Sequence, residues 1–241
     1  MPYAYEPHAP GFHVPALRAA GKDAGTTTPA LVVPQPHPLP PLLLPDSAAI
    51  LRWVDARAPA AARLFPAAAE AEVEALCARL DAGIGVAARS FVYSHALDSP
   101  EIADALAPPN VPASERAAWR WGVGYLVRGL MRAGMQISAE NGARALDTLR
   151  REFAALDALL ADGRPYLAGE SFTAADLTLA ALAAPALGVP YGEHPPWRAL
   201  EELPEPLRAA AAELRATAAG RLALRLWVEE RWRVVTAAYG A

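Results

Sequence analysis

A single cysteine, a single lysine and no long uninterrupted apolar run set the outer limits on this 241-residue chain. With Cys77 alone, no intramolecular disulfide can form, which suits a reducing compartment. Its neighbours Glu74, Leu76, Arg79 and Leu80 follow an amphipathic helical pattern, so a buried, inert thiol is expected rather than a nucleophile. Lys22 is the only lysine, and arginine carries nearly all the positive charge. Together with the alanine excess, that reads as base composition and says nothing about function. The formal net charge of −4 argues against a nucleic-acid partner held by a basic face. Prolines break the apolar segment Leu39 to Pro45. The run from Leu177 to Val189 is interrupted by Pro185 and Gly188 and is too short to span a bilayer. Met1 is not followed by a basic start and an apolar run, so no secretory leader, no membrane partner and a cytoplasmic location are expected. Phosphate-binding loop, dinucleotide fingerprint and serine-elbow patterns are missing. His8 and His13 share one loop region without cysteine or carboxylate at metal spacing, so no metal site is expected.

Length and hydrophobic content are in ample supply. Hydrophobic residues make up 54% of the chain, much of it alanine, which favours a mostly helical globule with a sizeable core. The chain changes character near residues 58 to 70. Before that point, short apolar segments alternate with turns. Tyr3-Ala4-Tyr5 reads as a short strand, Val14 to Ala20 as a short helix, and Ala30 to Val33 as a buried strand. Leu42 to Leu44 reads as a second strand, at an edge because of Pro40 and Pro41. Beyond it, helical periods dominate. One helix is expected from Pro66 to about His95, a turn at Asp98 to Glu101, and a helix from Ser114 with Trp119, Val123, Leu126 and Leu130 in phase. The next carries Leu146, Leu149, Phe153, Leu156 and Leu160 and stops at Asp162-Gly163. Two more follow, from about Pro204 to Ala216 and from about Gly220 to Tyr239. The aromatics Phe91, Tyr93, Trp119, Trp121 and Tyr125 read as core more readily than as a ligand pocket, with Trp119 the clearest core residue and Tyr93 open between the two.

The most specific stretch runs from Tyr166 to Leu182. Thr173 at the N-cap and Asp176 at N3 make a capping box, in which the hydroxyl takes the N3 amide and the carboxylate reaches back to the N-cap amide. Phe172 and Leu177 are placed to staple the same turn. The whole phrase, Tyr-Leu-Ala-Gly followed by Phe-Thr-x-Ala-Asp running into an apolar helix, resembles the C-terminal helical domain of glutathione S-transferases. There the box is a folding element and not part of the chemistry.

A second phrase extends the resemblance. Gly25-Thr-Thr-Thr-Pro-Ala-Leu-Val-Val, followed by Leu44-Pro-Asp-Ser-Ala-Ala-Ile-Leu, is similar to the later half of that family's thioredoxin-like domain. The resemblance implies a glutathione site. Thr28-Pro29 matches the family's X-Pro pair, whose cis peptide exposes backbone to the cysteinyl part of glutathione; a trans proline opening a strand is the plainer alternative. Ser47 would offer hydroxyl and amides to the γ-glutamyl carboxylate, and Asp46 would accept from the ammonium. Asp-Ser is equally a good helix cap without any ligand.

Two departures accompany the match. The family's thiolate-stabilising Tyr, Ser or Cys lies on a first strand and helix, and this sequence begins at what resembles the second strand. The catalytic residue is therefore unknown, and Tyr3 and Tyr5 sit in the wrong place for the role. A start codon assigned too far downstream would have the same effect. The second departure is a Pro-rich insert, Pro34 to Pro41, where a tight hairpin is common. The resulting expectation is a two-domain fold, α/β plus all-α. An N-terminally incomplete thioredoxin-like domain spans 1–58, a linker 59–70 and a helical bundle 71–241. By resemblance the activity is conjugation of glutathione, as co-substrate and with no cofactor, to a small hydrophobic electrophile by a homodimer. The rival is a non-catalytic ligand-binding or assembly module.

Overall fold

The computed structural model describes residues 3–21, 27–36, 39–97, 110–189 and 200–239, with the backbone alone at 232–239. The described residues are mostly helical and include a small two-stranded sheet. By contacts the chain divides into two compact units, Met1–Arg63 with Ala103–Leu130, and Leu64–Ile102 with Met131–Ala241. Contacts group the described residues 110–130 with the N-terminal part of the chain.

In the first unit, α1 spans His13–Ala20 and the strands β1 (Leu31–Val33) and β2 (Leu42–Leu44) pair antiparallel, Leu31 opposite Leu44 and Val33 opposite Leu42. Helix α2 follows at Ser47–Asp55. The strand expected at Tyr3-Ala4-Tyr5 does not form. The segment is irregular, and Tyr3 and Tyr5 are 81% and 66% exposed. Three residues with aromatic rings alternating around an alanine suit a pleated surface, but a strand needs a neighbour to bond. The N-terminal segment instead packs on α5 (Ala113–Ala118) and the wide turn Trp119–Val123. Ala9, Val111 and Trp119 are buried together, with Phe12 and Val127 against them. The Glu115 carboxylate fixes that contact, accepting from the Ala9 amide at 2.9 Å and lying 2.7 Å from His8 Nδ1.

Trp119 is thus a core residue, as expected. Trp121 and Tyr125 are not, at 91% and 75% exposed. The reason is local: Gly122 has φ of 114°, which breaks the helical phase between Trp119 and α6 (Gly124–Gly134). Residues on the two sides of that kink no longer share a face.

The second unit is a helical bundle. Helices α3 (Glu70–Leu80) and α4 (Val86–Ala96) are joined by a five-residue π turn, Asp81–Gly85, so the helix expected from Pro66 to His95 forms from Glu70 to Ala96 with one wide turn. Then come α7 (Ala139–Leu159), α8 (Ala174–Ala183), α9 (Glu205–Arg215) and α10 (Ala218–Tyr239). The turn expected at Asp98 to Glu101 lies outside the described residues. Helix α4 packs along α7, α3 along α8, and α10 against α8, α7 and α9. Phe91, Leu149, Phe153, Leu156, Leu179 and Leu214 form the buried interior. Each such side chain contributes about 1.5–3 kcal/mol by leaving water. Gly142 allows α4 and α7 to touch closely, since a Cβ there would come within 2.2 Å of Ser94 Oγ. Helix α7 ends through a short 3-10 turn at Gly163, whose φ of 85° is the left-handed conformation glycine adopts without strain.

Candidate functional site

The four residues matched to a glutathione site lie around one end of the β1–β2 hairpin. The register puts Leu31 opposite Leu44, so Thr28 and Pro29, just before β1, and Asp46 and Ser47, just after β2, leave the sheet on the same side. The Thr27 hydroxyl donates to the Pro45 carbonyl at 2.5 Å and ties the two segments together. The Thr28–Pro29 peptide is cis, as expected from the phrase around it. Thr28, Pro29, Asp46 and Ser47 are all exposed.

Asp46 is the N-cap of α2 in extended backbone, and its Oδ1 accepts from the Ala49 amide at 2.8 Å. Ser47 is the first helical residue. The cap uses one carboxylate oxygen. It leaves the second oxygen, the Ser47 hydroxyl and the first-turn amides at a helix start where partial positive charge collects. The arrangement can receive a small zwitterion, with an anionic group at the amides and a cationic one at Asp46. The same geometry would also serve as a plain cap, because every bond just described is intramolecular.

Thr173 and Asp176 are at the start of α8, where the capping box is present. The carboxylate does more than the sequence implied. Asp176 is fully buried, with Oδ2 taking the Thr173 amide and the Thr173 hydroxyl, both at 2.9 Å. Oδ1 takes the Leu167 amide at 2.8 Å. Asp176 therefore also locks the Tyr166–Gly169 loop, itself closed by paired backbone bonds, onto the helix start. Burial pushes its carboxyl above the usual range, and the bonds from Leu167 and Thr173 oppose that shift. Phe172 meets Tyr166 edge-on at 6.0 Å between centroids, while Leu177 remains 39% exposed. The Tyr166 hydroxyl donates to Glu230 Oε1 at 2.8 Å, anchoring α10 over the same loop.

The other sequence candidates separate. Cys77 Sγ accepts from the Thr178 hydroxyl at 3.5 Å, within the α3–α8 packing. His8 belongs to the Glu115 contact, and His13 Nδ1 accepts from the Gly11 amide at 3.3 Å. Among the described residues no group of three metal-ligating side chains comes together, and no helix is long and apolar enough to cross a membrane. Burial raises the Tyr93 phenol, with Arg89 opposing, so it stays protonated near neutral pH.

Sequence reading missed the Leu167 bond to Asp176 and the role of Glu115. The first was within reach, since Tyr166-Leu-Ala-Gly is a tight loop nine residues upstream whose amides need acceptors. The second was not, because nothing local links Glu115 to a partner more than a hundred residues away.

No curated protein and no solved structure matches the chain. Residues 139–216, from the start of α7 through α9, match the family model described as glutathione S-transferase, C-terminal domain, so this segment is similar to that domain.

Proposed function

We propose that the protein binds glutathione at the hairpin end, with Asp46 and Ser47 holding the γ-glutamyl group and the backbone at Thr28-Pro29 pairing with the cysteinyl part. The first unit then acts as a thioredoxin-like glutathione-binding domain, and two copies of the chain form a homodimer. The related reaction is thiolate attack on a small hydrophobic electrophile. The observation that supports this best is the meeting of the Thr28–Pro29 segment with the Asp46–Ser47 helix start around one end of a short hairpin. The similarity of residues 139–216 to the glutathione S-transferase C-terminal domain supports the same reading from an independent part of the chain.

Titration calorimetry with glutathione tests it. The parent should bind saturably. Ser47→Ala and Asp46→Asn should each weaken binding several-fold, Asn being chosen because it keeps the cap while removing the charge. Unchanged affinity in both variants would move the site elsewhere.

One observation favours a second reading, a ligand-binding or assembly module without chemistry. A thiolate is stabilised by a donor in a partly desolvated cleft, and Tyr3 and Tyr5, the hydroxyls nearest in sequence to the expected position, are largely exposed. Under that reading the parent conjugates chlorodinitrobenzene no faster than free glutathione does. Turnover abolished by Tyr3→Phe or Tyr5→Phe would reverse the choice.

A further inference from the structure

Helices α4, α7 and α9 of the second unit line an open-sided cleft of about 450 Å³ that includes none of the four residues matched to glutathione. Its walls are mostly apolar: Phe91, Ala143, Leu146, Pro206, Ala209 and Ala210. The volume lies in the lower part of the range for small-molecule sites, roughly 300–1,000 Å³. Small residues on α7 and α9 create the space, with Ala143 and Ala209 exposed at its rim.

The polar groups fix what could enter. Arg150 and Glu213 face each other across α7 and α9 through two parallel bonds, Nε to Oε1 at 2.7 Å and Nη2 to Oε2 at 2.8 Å. Each charge is answered by the other, so the cleft makes no demand for an ion. His95 is the remaining polar group of consequence. Its Nδ1 lies 3.0 Å from the Phe91 carbonyl and 3.0 Å from Ser94 Oγ, and the Ser94 hydroxyl donates to that same carbonyl at 2.7 Å. A carbonyl only accepts, so in the neutral ring the proton sits on Nδ1. The edge-on contact with Phe91, 4.9 Å between centroids, holds the ring in place. Nε2 then carries a lone pair, and among the described residues no donor meets it.

We infer that this cleft binds a small uncharged aromatic molecule bearing a hydroxyl, its ring against Phe91, Leu146 and the alanines and its O–H donating to His95 Nε2. The inference concerns the second unit alone and does not depend on glutathione binding.

The test uses the full chain and two probes of nearly equal shape, 4-methylphenol and 4-methylanisole, of which only the first can donate. Calorimetric titration should show saturable binding of 4-methylphenol and at least about fivefold weaker binding of 4-methylanisole, the size expected of one hydrogen bond. His95→Phe should weaken 4-methylphenol by about the same factor and erase the preference. Ala209→Phe, at an exposed position, should fill the cleft and abolish binding of both. In the parent protein, 4-methylphenol should also shift the ¹⁵N resonance of His95 Nε2, a readout that needs no variant. Equal affinity for the two probes, no saturable binding of either, an unmoved Nε2 resonance, or a preference that survives in His95→Phe would each overturn the inference. Titrating glutathione into the same Ala209→Phe sample keeps the two readings apart, because that affinity should be unchanged.

Discussion

Two aspartates stand at two helix starts and have opposite surroundings. Asp46 is exposed at the N-cap of α2 and gives one oxygen to one amide. Asp176 is buried at N3 of α8 and receives three donors from two segments of chain. The same side chain therefore does different work. Where three donors converge on both oxygens and the side chain is buried, the carboxylate holds structure together and has little to offer a ligand. Where one oxygen and the charge face solvent, the cap is a minor stabiliser and is available for recognition.

The largest expected effect follows from that contrast. Asp176→Ala leaves the Leu167 and Thr173 amides buried without acceptors, which should cost about 3 kcal/mol, against roughly 1 kcal/mol for an ordinary exposed cap. Urea denaturation of the two proteins measures it. A loss under 1 kcal/mol would place Asp176 in the same class as Asp46.

The pH dependence sharpens the point. The Asp176 carboxyl is raised in the folded state, with burial as the leading cause. A raised folded pKa means that protonation favours folding. Its contribution is complete below the ordinary carboxylate pKa and is lost as pH rises through the raised value. The stability gap between the parent and Asp176→Ala should accordingly narrow from about pH 4 upward. A gap that widens over that range would show the hydrogen bonds outweighing burial.

Asp46→Ala should cost about 1 kcal/mol and Asp46→Asn a few tenths, because asparagine caps as well as aspartate. Thermal melting distinguishes the two. A loss of several kcal/mol from either would mean that Asp46 is bound up in the fold as fully as Asp176 and has nothing left for glutathione.

The smallest effect is expected at Arg150. The Arg150–Glu213 pair is well formed but about half exposed, at 47% and 46%, so Arg150→Ala should cost less than about 1 kcal/mol. Its pH slope has the opposite sign to that of Asp176. Arg150 holds the Glu213 carboxyl below the usual range. That contribution is present above the ordinary glutamate pKa and fades as pH falls through the depressed value. The gap between parent and Arg150→Ala should shrink in acid, and denaturation curves at acidic and neutral pH check it.

What could be read from the chain was local. Thr173 with Asp176, Asp46 with Ser47, the apolar triplets Leu31–Val33 and Leu42–Leu44, and the Asp162-Gly163 stop each announce themselves within a few residues, because capping, pairing edges and left-handed turns are short-range requirements. What could not be read was long-range. Glu115 reaching Ala9, Trp119 joining the N-terminal segment, and the cleft at His95 are each assembled from separated segments. Tyr3 to Tyr5 and Trp121 illustrate the other limit: a pattern suited to burial stays outside when no element arrives to cover it or when one glycine resets the phase.

The wide turn at Asp81–Gly85 bears on which insertions and deletions this bundle can absorb. The buried positions Leu80, Ile84, Ala88, Val92 and Ala96 recur at every fourth residue. In a regular helix that spacing overshoots each turn by about 40°, so the stripe would wind away from its neighbours. One turn holding an extra residue resets the count, and the stripe that met α8 through α3 can go on to meet α7 through α4. The turn is in effect a one-residue insertion already accommodated. Excising a residue within 81–85 should therefore leave α4 facing α7 and the protein folded. The same deletion within 74–78 should swing Leu80 and everything beyond it by about 100° and destroy the bundle. A circular-dichroism melt of the two deletion variants compares them directly.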